Sequence, residues 1–182
     1  MKAVFFVLNA LAGLAMGDCA ARLRVTRDAT VGFNGIMCNN DTVPCSSIPQ
    51  GLQNTLMSFR GNRDYERILL GFDLPLNNVQ KCILHIPPPT EAAADTTEVT
   101  VSTTDNIWDE ATVNGFTKPL NADRVAAANV TKENGAVVDI THACANASNH
   151  KLSLFVDTTS SMITFNSLQS GSSDVFVLEY FF

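Results

Sequence analysis

Six consecutive residues, Arg60-Gly61-Asn62-Arg63-Asp64-Tyr65, bring two guanidinium forks, an amide, a carboxylate and a phenol ring into one short turn. Guanidinium groups grip carboxylates and vicinal hydroxyls in a fixed fork, and tyrosine adds a stacking face with a hydrogen-bonding edge. Arg60, Asn62, Arg63 and Tyr65 are therefore candidate contacts to a polar ligand, and Phe116, beside Gly115 in a later loop, is the candidate exposed aromatic face. A solvated hairpin with incidental charges is the competing reading. Trp108, the one tryptophan, precedes an expected strand and is read as filling the core rather than stacking on a ligand.

Catalytic chemistry has weaker support. Nucleophilic hydrolysis commonly shows Gly-x-Ser-x-Gly, which is absent; Ser170-Gly171-Ser172-Ser173 reads as a turn, and His85, His142 and His150 are scattered. Sugar hydrolysis needs two carboxylates facing each other across a cleft. Asp109 and Glu110 are adjacent and point to different sides, so they suit that role poorly. Glu110, Asp73 and Asp139 are read as structural, accepting hydrogen bonds from backbone amides at strand ends. The alternative for these oxygens is a calcium ion, the one cofactor the sequence leaves open.

All five cysteines, Cys19, Cys38, Cys45, Cys82 and Cys144, follow an N-terminal segment with the layout of a secretory signal: Lys2, an apolar run from Ala3 to Met16, and a small-residue exit at Gly17. A membrane anchor is the rival, but the run is too short to cross a bilayer and Asp18 closes it. The expectation is a signal peptide over 1–17 and one domain over 18–182, in an oxidising compartment. No Cys-x-x-Cys pair exists and the histidines lack ligand spacing, which argues against zinc. Cys38 and Cys45 bracket a polar loop that a bridge would staple, and Cys82 with Cys144 is the second expected pair. The cysteine left over offers a route to covalent self-association. Three sequons, at Asn40, Asn129 and Asn146, mark candidate glycosylation sites on the surface.

The formal net charge is −6, and about −7 once Lys2 is removed. Such a surface repels polyphosphate, so nucleic acid is not an expected partner. It also disfavours strongly acidic polysaccharides, unless Arg60, Arg63 and Arg67 form a local basic patch.

The elements that must hold these groups are strands. Short β-branched and aliphatic runs alternate with Gly, Pro, Asn and Asp clusters, and no segment sustains a helical period. Leu23–Thr26 and Ala29–Val31 open the pattern, and Asn54–Arg60 is expected to pair with Arg67–Leu74 across the turn at Gly61-Asn62. Val79–Ile86 ends at three prolines, which cannot continue a ladder. Glu98–Thr103 alternates, with Val99 and Val101 on one face. Val137–Ile140, Leu152–Val156, Met162–Phe165 and Val175–Tyr180 complete roughly nine strands, the pattern of a sandwich. Thr141–Ala147 is the best helical candidate, and the Ala/Asn-rich stretch 121–134 reads as a surface excursion.

Four segments in order and spacing carry a resemblance: Arg67, Leu69, Leu70, Gly71, Phe72, Asp73 and Leu74; the strand Cys82–Ile86; Trp108–Val113 followed by Pro119; and Asp139–Thr141. Together they resemble the DNRLRE domain, also classed as carbohydrate-binding module family 96, from about Leu23 to Tyr180. Two departures stand out. Gly115-Phe116 occupies the region of the family's second tryptophan, and Ser167-Leu168-Gln169-Ser170 replaces a Ser-Arg-Glu element. The resemblance implies an all-β, jelly-roll-like antiparallel sandwich that binds an extracellular polysaccharide without catalysis, in a family whose modules are often attached to carbohydrate-active enzymes. A self-associating structural subunit of a wall or matrix is the alternative, and a lyase or hydrolase on the same sandwich is the third.

Overall fold

The computed structural model describes residues 20–33, 35, 37, 38, 43–75, 78–159 and 161–182. The expected signal segment 1–17, Cys19 and the sequon asparagine Asn40 lie outside the described residues. In chain order the strands are β1 (Ala20–Arg24), β2 (Arg27–Phe33), β3 (Met37–Cys38), β4 (Val43–Pro44), β5 (Thr55–Arg60), β6 (Tyr65–Asp73) and β7 (Lys81–Ile86). They continue as β8 (Glu91–Ala92), β9 (Thr96–Thr104), β10 (Asn121–Thr131), β11 (Ala136–Asp139), β12 (Lys151–Thr158), β13 (Ile163–Asn166) and β14 (Val177–Phe181). The one α-helix among the described residues, α1 (Thr141–Ala145), is a single turn.

Two antiparallel sheets face each other. The smaller has the order β1-β14-β7-β11, and the larger, eight-stranded and curled, runs β10-β9-β12-β6-β5-β13-β8 with β2 on the other edge of β6. The chain passes from the large sheet to the small one between β6 and β7 and again between β10 and β11, winding around the core as a jelly-roll-like sandwich does.

Period-two alternation decides which residues fill the space between the sheets. Ile68, Leu70 and Phe72 of β6 are fully buried there with Val99 and Val101 of β9, Leu154 and Val156 of β12, and Leu84 and Leu178 of the small sheet. Each such side chain contributes about 1.5–3 kcal/mol by leaving water. Two disulfides add to this, Cys38–Cys45 and Cys82–Cys144, with Cα–Cα distances of 5.0 and 6.4 Å. The second ties β7 to α1 and encloses 62 residues of sequence separation, for which loop closure is worth about 4 kcal/mol. Asp139 starts α1 by accepting the Thr141 amide at 2.9 Å and its hydroxyl at 2.6 Å, bonds that hold its carboxyl below the usual range.

Three sequence expectations need correction. β5 pairs with β6 only at Phe59↔Glu66 and Arg60↔Tyr65, because from Ile68 onward β12 takes that edge of β6 while β5 turns to β13. The 121–134 stretch is not an irregular excursion: β10 is an edge strand whose small alanines and two register shifts around Arg124 blur its alternation. Residues 109–117 are turns rather than a strand, so Trp108 does not lead into the core between the sheets.

Candidate functional site

The face of the large sheet turned away from the small one has two ends. Register places Thr104, Ser153, Gly71 and Arg27 in one cross-strand row, Ser102, Phe155, Leu69 and Ala29 in the next, and Thr100 beside Asp157 in a third, in line with Arg67 and Val31. At the first end the segment after β9 folds over the sheet. Ala29, Val31, Leu69 and Phe155 of the sheet are buried beneath it together with the segment's own Val113, and Trp108 packs on them half-buried.

The Trp108 ring lies 4.3 Å from the Arg27 guanidinium carbon. Arg27 Nη1 donates to the Trp108 carbonyl at 2.7 Å, and the indole Nε1 donates to Ser153 Oγ at 2.9 Å. Gly71 makes room for this stack, since a Cβ there would sit 2.6 Å from Arg27 Nε and 3.1 Å from Trp108 Cζ2. Farther along the loop, Gly115 approaches the Gly32 backbone so closely that a Cβ would meet the Gly32 carbonyl oxygen at 1.7 Å.

The other end of the same face is open. A shallow groove of about 340 Å³ is lined by Arg60, Tyr65, Arg67, Thr100 and Asp157, with the exposed Thr159 at its rim. Its floor is fixed. Arg67 forms a two-pronged ion pair with Asp157, Nε to Oδ1 and Nη2 to Oδ2, and its guanidinium lies 3.8 Å above the Phe155 ring. Only 11% of the Arg67 side chain and 16% of that of Asp157 are exposed, so this pair is shielded from the screening that weakens surface pairs.

The walls are less committed. Arg60 and Tyr65 stand opposite each other in register, and among the described residues neither the Arg60 guanidinium nor the Tyr65 hydroxyl has a hydrogen-bond partner. On the β2 side, Phe33 faces Tyr65 and is 44% exposed, while Phe116 is 61% exposed. Lys118 ties these together: its Nζ donates to the Gly115 carbonyl at 2.5 Å and lies 5.5 Å from the centre of the Tyr65 ring.

Of the sequence candidates, Arg60 and Tyr65 line the groove. Asn62 and Arg63 are exposed at the tip beside it, where Asp64 closes the turn through its carbonyl to the Gly61 amide. Phe116 is exposed on the loop after β9 and does not line the groove; its neighbour Gly115 is tied to Tyr65 only through Lys118. Arg67, grouped from the sequence with Arg60 and Arg63 as a candidate basic patch, is instead neutralised by Asp157 and supplies the groove floor; Asp157, Thr100 and Phe33 had no local signal because the residues they face are remote in sequence. Arg67 and Asp157, for instance, are 90 residues apart.

The carboxylates follow the structural reading in part. Glu110 Oε1 accepts the Asp28 amide at 2.7 Å, capping the start of β2, and Asp139 starts α1 as described. Asp73 departs from it: it ends β6 opposite Lys151, exposed, with no backbone amide among the described residues bonded to its carboxylate. Among the described residues no three His, Cys, Asp or Glu side chains come together. A carboxylate that sequence reasoning passed over is Asp28, fully buried on the inward side of β2, with Oδ2 accepting the Leu168 amide at 2.7 Å. Its carboxyl is raised to about 7, chiefly by burial, with the Leu168 amide opposing the rise and the neighbouring Glu110 charge adding to it.

The sequon residues Asn129 and Asn146 are both exposed, the first on edge strand β10 and the second just past α1, where its amide meets the His142 ring. No helix among the described residues is long and apolar enough to cross a membrane.

No family model matches the chain. It is similar to an uncharacterized secreted protein of Arthroderma benhamiae, with 32% identity over 128 residues. That match covers 63% of this chain and 66% of the relative, just under two thirds of the relative's length.

Proposed function

We propose that this chain is a secreted, non-catalytic polysaccharide-binding protein of a cell wall or extracellular matrix, acting through the open end of the large sheet. The observation that carries the reading is the pairing of a rigid Arg67–Asp157 floor with uncommitted walls, Arg60 and Tyr65, in one groove. A polar groove with fixed donors and acceptors and an aromatic wall suits a sugar, whose hydroxyls need hydrogen bonds and whose C–H face packs on a ring. Phe33, opposite Tyr65 in register and exposed, extends the aromatic side.

Binding rather than turnover is favoured by the carboxylate count. Among the described residues lining the groove Asp157 is the one carboxylate, and both its oxygens are engaged by Arg67, whereas sugar hydrolysis needs two carboxylates across the scissile bond. The secreted relative supports secretion alone, and the polysaccharide part of the reading draws on the resemblance to carbohydrate-binding module family 96.

Affinity electrophoresis through gels containing neutral and anionic polysaccharides tests it. Retardation is expected in at least one gel, with Arg60→Ala and Tyr65→Ala each weakening it about tenfold, or about 1.4 kcal/mol. A wild type retarded by none of the polysaccharides, or variants retarded equally, would sink the reading. A second reading, a self-associating structural subunit, draws on the cysteine count: of five cysteines, four pair with one another, leaving Cys19 outside both bridges. Non-reducing electrophoresis with light scattering separates the two, since a strictly monomeric species counts against assembly.

A further inference from the structure

Asn129 lies in line with the groove. In β10, Val130 is buried between the sheets, so Asn129 projects from the outer face, opposite Glu98 of β9. The next residue across that row is Thr159, whose amide donates to the Glu98 carbonyl and which lines the groove. Two strand spacings, about 10 Å, therefore separate Asn129 from the groove rim. Asn129 is exposed and heads the sequon Asn129-Val130-Thr131, whereas the other described sequon, at Asn146, sits beyond the far end of β9, in a depression lined by Thr103 and Thr104.

We propose that an N-glycan on Asn129 reaches over Glu98 into the groove and competes there with external polysaccharide. The proposal rests on the polysaccharide-binding reading of this groove and adds its regulation. An N-glycan core is a chain of several sugar rings, longer than the distance to Thr159, and it presents the chemistry the groove accepts. Tethering makes the competition effective, because a ligand on a short flexible link acts at a concentration on the order of millimolar. A shallow, solvent-open groove that holds a sugar segment weakly is then occupied by the chain's own glycan, and processing of that glycan sets how much polysaccharide binds.

The chain has two tyrosines, Tyr65 in the groove and Tyr180 buried in the core, so tyrosine nitration reports on Tyr65 almost alone. The full chain is produced in a eukaryotic secretory host as wild type, Asn129→Gln, Thr131→Ala and the control Asn146→Gln. Peptide mapping is expected to find Asn129 glycosylated in the wild type. Tyr65 is expected to nitrate at least about twofold faster in both Asn129-sequon variants than in wild type, with polysaccharide retention rising by a similar factor, while Asn146→Gln changes neither. An unmodified Asn129, or Tyr65 equally reactive with and without the glycan, overturns the proposal. If no form binds any polysaccharide, the binding reading falls, while nitration still decides whether the glycan covers the groove.

Discussion

Two aromatic–arginine sites share the outer face of the large sheet and are treated in opposite ways. At the covered end, Arg27 and Trp108 face each other at 4.3 Å, and Ser153 and the Trp108 carbonyl take up their donors. At the open end, Arg60 and Tyr65 stand in register over a floor that is already neutralised, and no described residue takes up the Arg60 guanidinium or the Tyr65 hydroxyl. Similar residue types are spent on the fold in one place and left for a ligand in the other. The difference comes from the turns after β9, which cover Leu69 and Phe155 and stop short of the groove. A buried polar group costs stability unless partnered, so the covered end had to satisfy its donors, while water does that at the open end until a ligand arrives.

The comparison breaks if the covered end is not structural. The largest expected effect is at Asp28, which joins β2 to the segment that follows β13 by accepting the Leu168 amide and whose own amide is held by Glu110 of the covering turns. Its folded pKa, about 7, lies above the ordinary carboxylate value of 3.8, so the native state binds this proton more tightly than the unfolded chain does. Stability from this group is full below about pH 4, falls as pH rises towards 7 and is level above that. The fall is about 1.4 kcal/mol for each pH unit crossed, on the order of 4 kcal/mol in all. Asp28→Asn, which keeps an acceptor for Leu168, should flatten that slope and raise the urea midpoint at pH 8. An unchanged pH profile would remove Asp28 as its cause.

Next in size is Trp108→Ala, expected to cost about 3 kcal/mol in urea unfolding, at the lower end of the range for losing a large aromatic because Trp108 is half-buried. A cost below about 1 kcal/mol would mean that the covering segment does not depend on the Arg27 stack. The smallest stability effect is expected at the open end, where Tyr65→Ala should change unfolding by less than about 1 kcal/mol. A loss as large as that of Trp108→Ala would make Tyr65 a packing residue and erase the distinction between the two ends.

How much of this was legible in the sequence follows from which interactions are local. Alternation in Glu98–Thr103 gave correct faces, because a half-buried strand must repeat with period two. Both disulfides were readable, the first because Cys38 and Cys45 bracket a segment too polar to hold itself. Trp108 was assigned to the wrong layer, since burial by a turn on the outer face and burial between the sheets favour the same side chain. β10 was missed because an edge strand of small residues with register shifts around Arg124 carries little periodic signal. The hairpin tip drew attention to Arg60 and Tyr65, but the groove floor unites β6 and β12, and no local pattern announces a partner that distant.

The central claim is that the open end binds a polysaccharide and the covered end only builds the fold. Titrating the mature protein with the polysaccharide that retards it most, while following tryptophan and tyrosine emission and heat, tests this directly. Tyr65→Ala should weaken binding about tenfold and leave the fold intact, whereas Trp108→Phe, which keeps an aromatic ring over Arg27, should bind within about twofold of wild type. Loss of binding in Trp108→Phe with full binding in Tyr65→Ala would reverse the two ends and contradict the account.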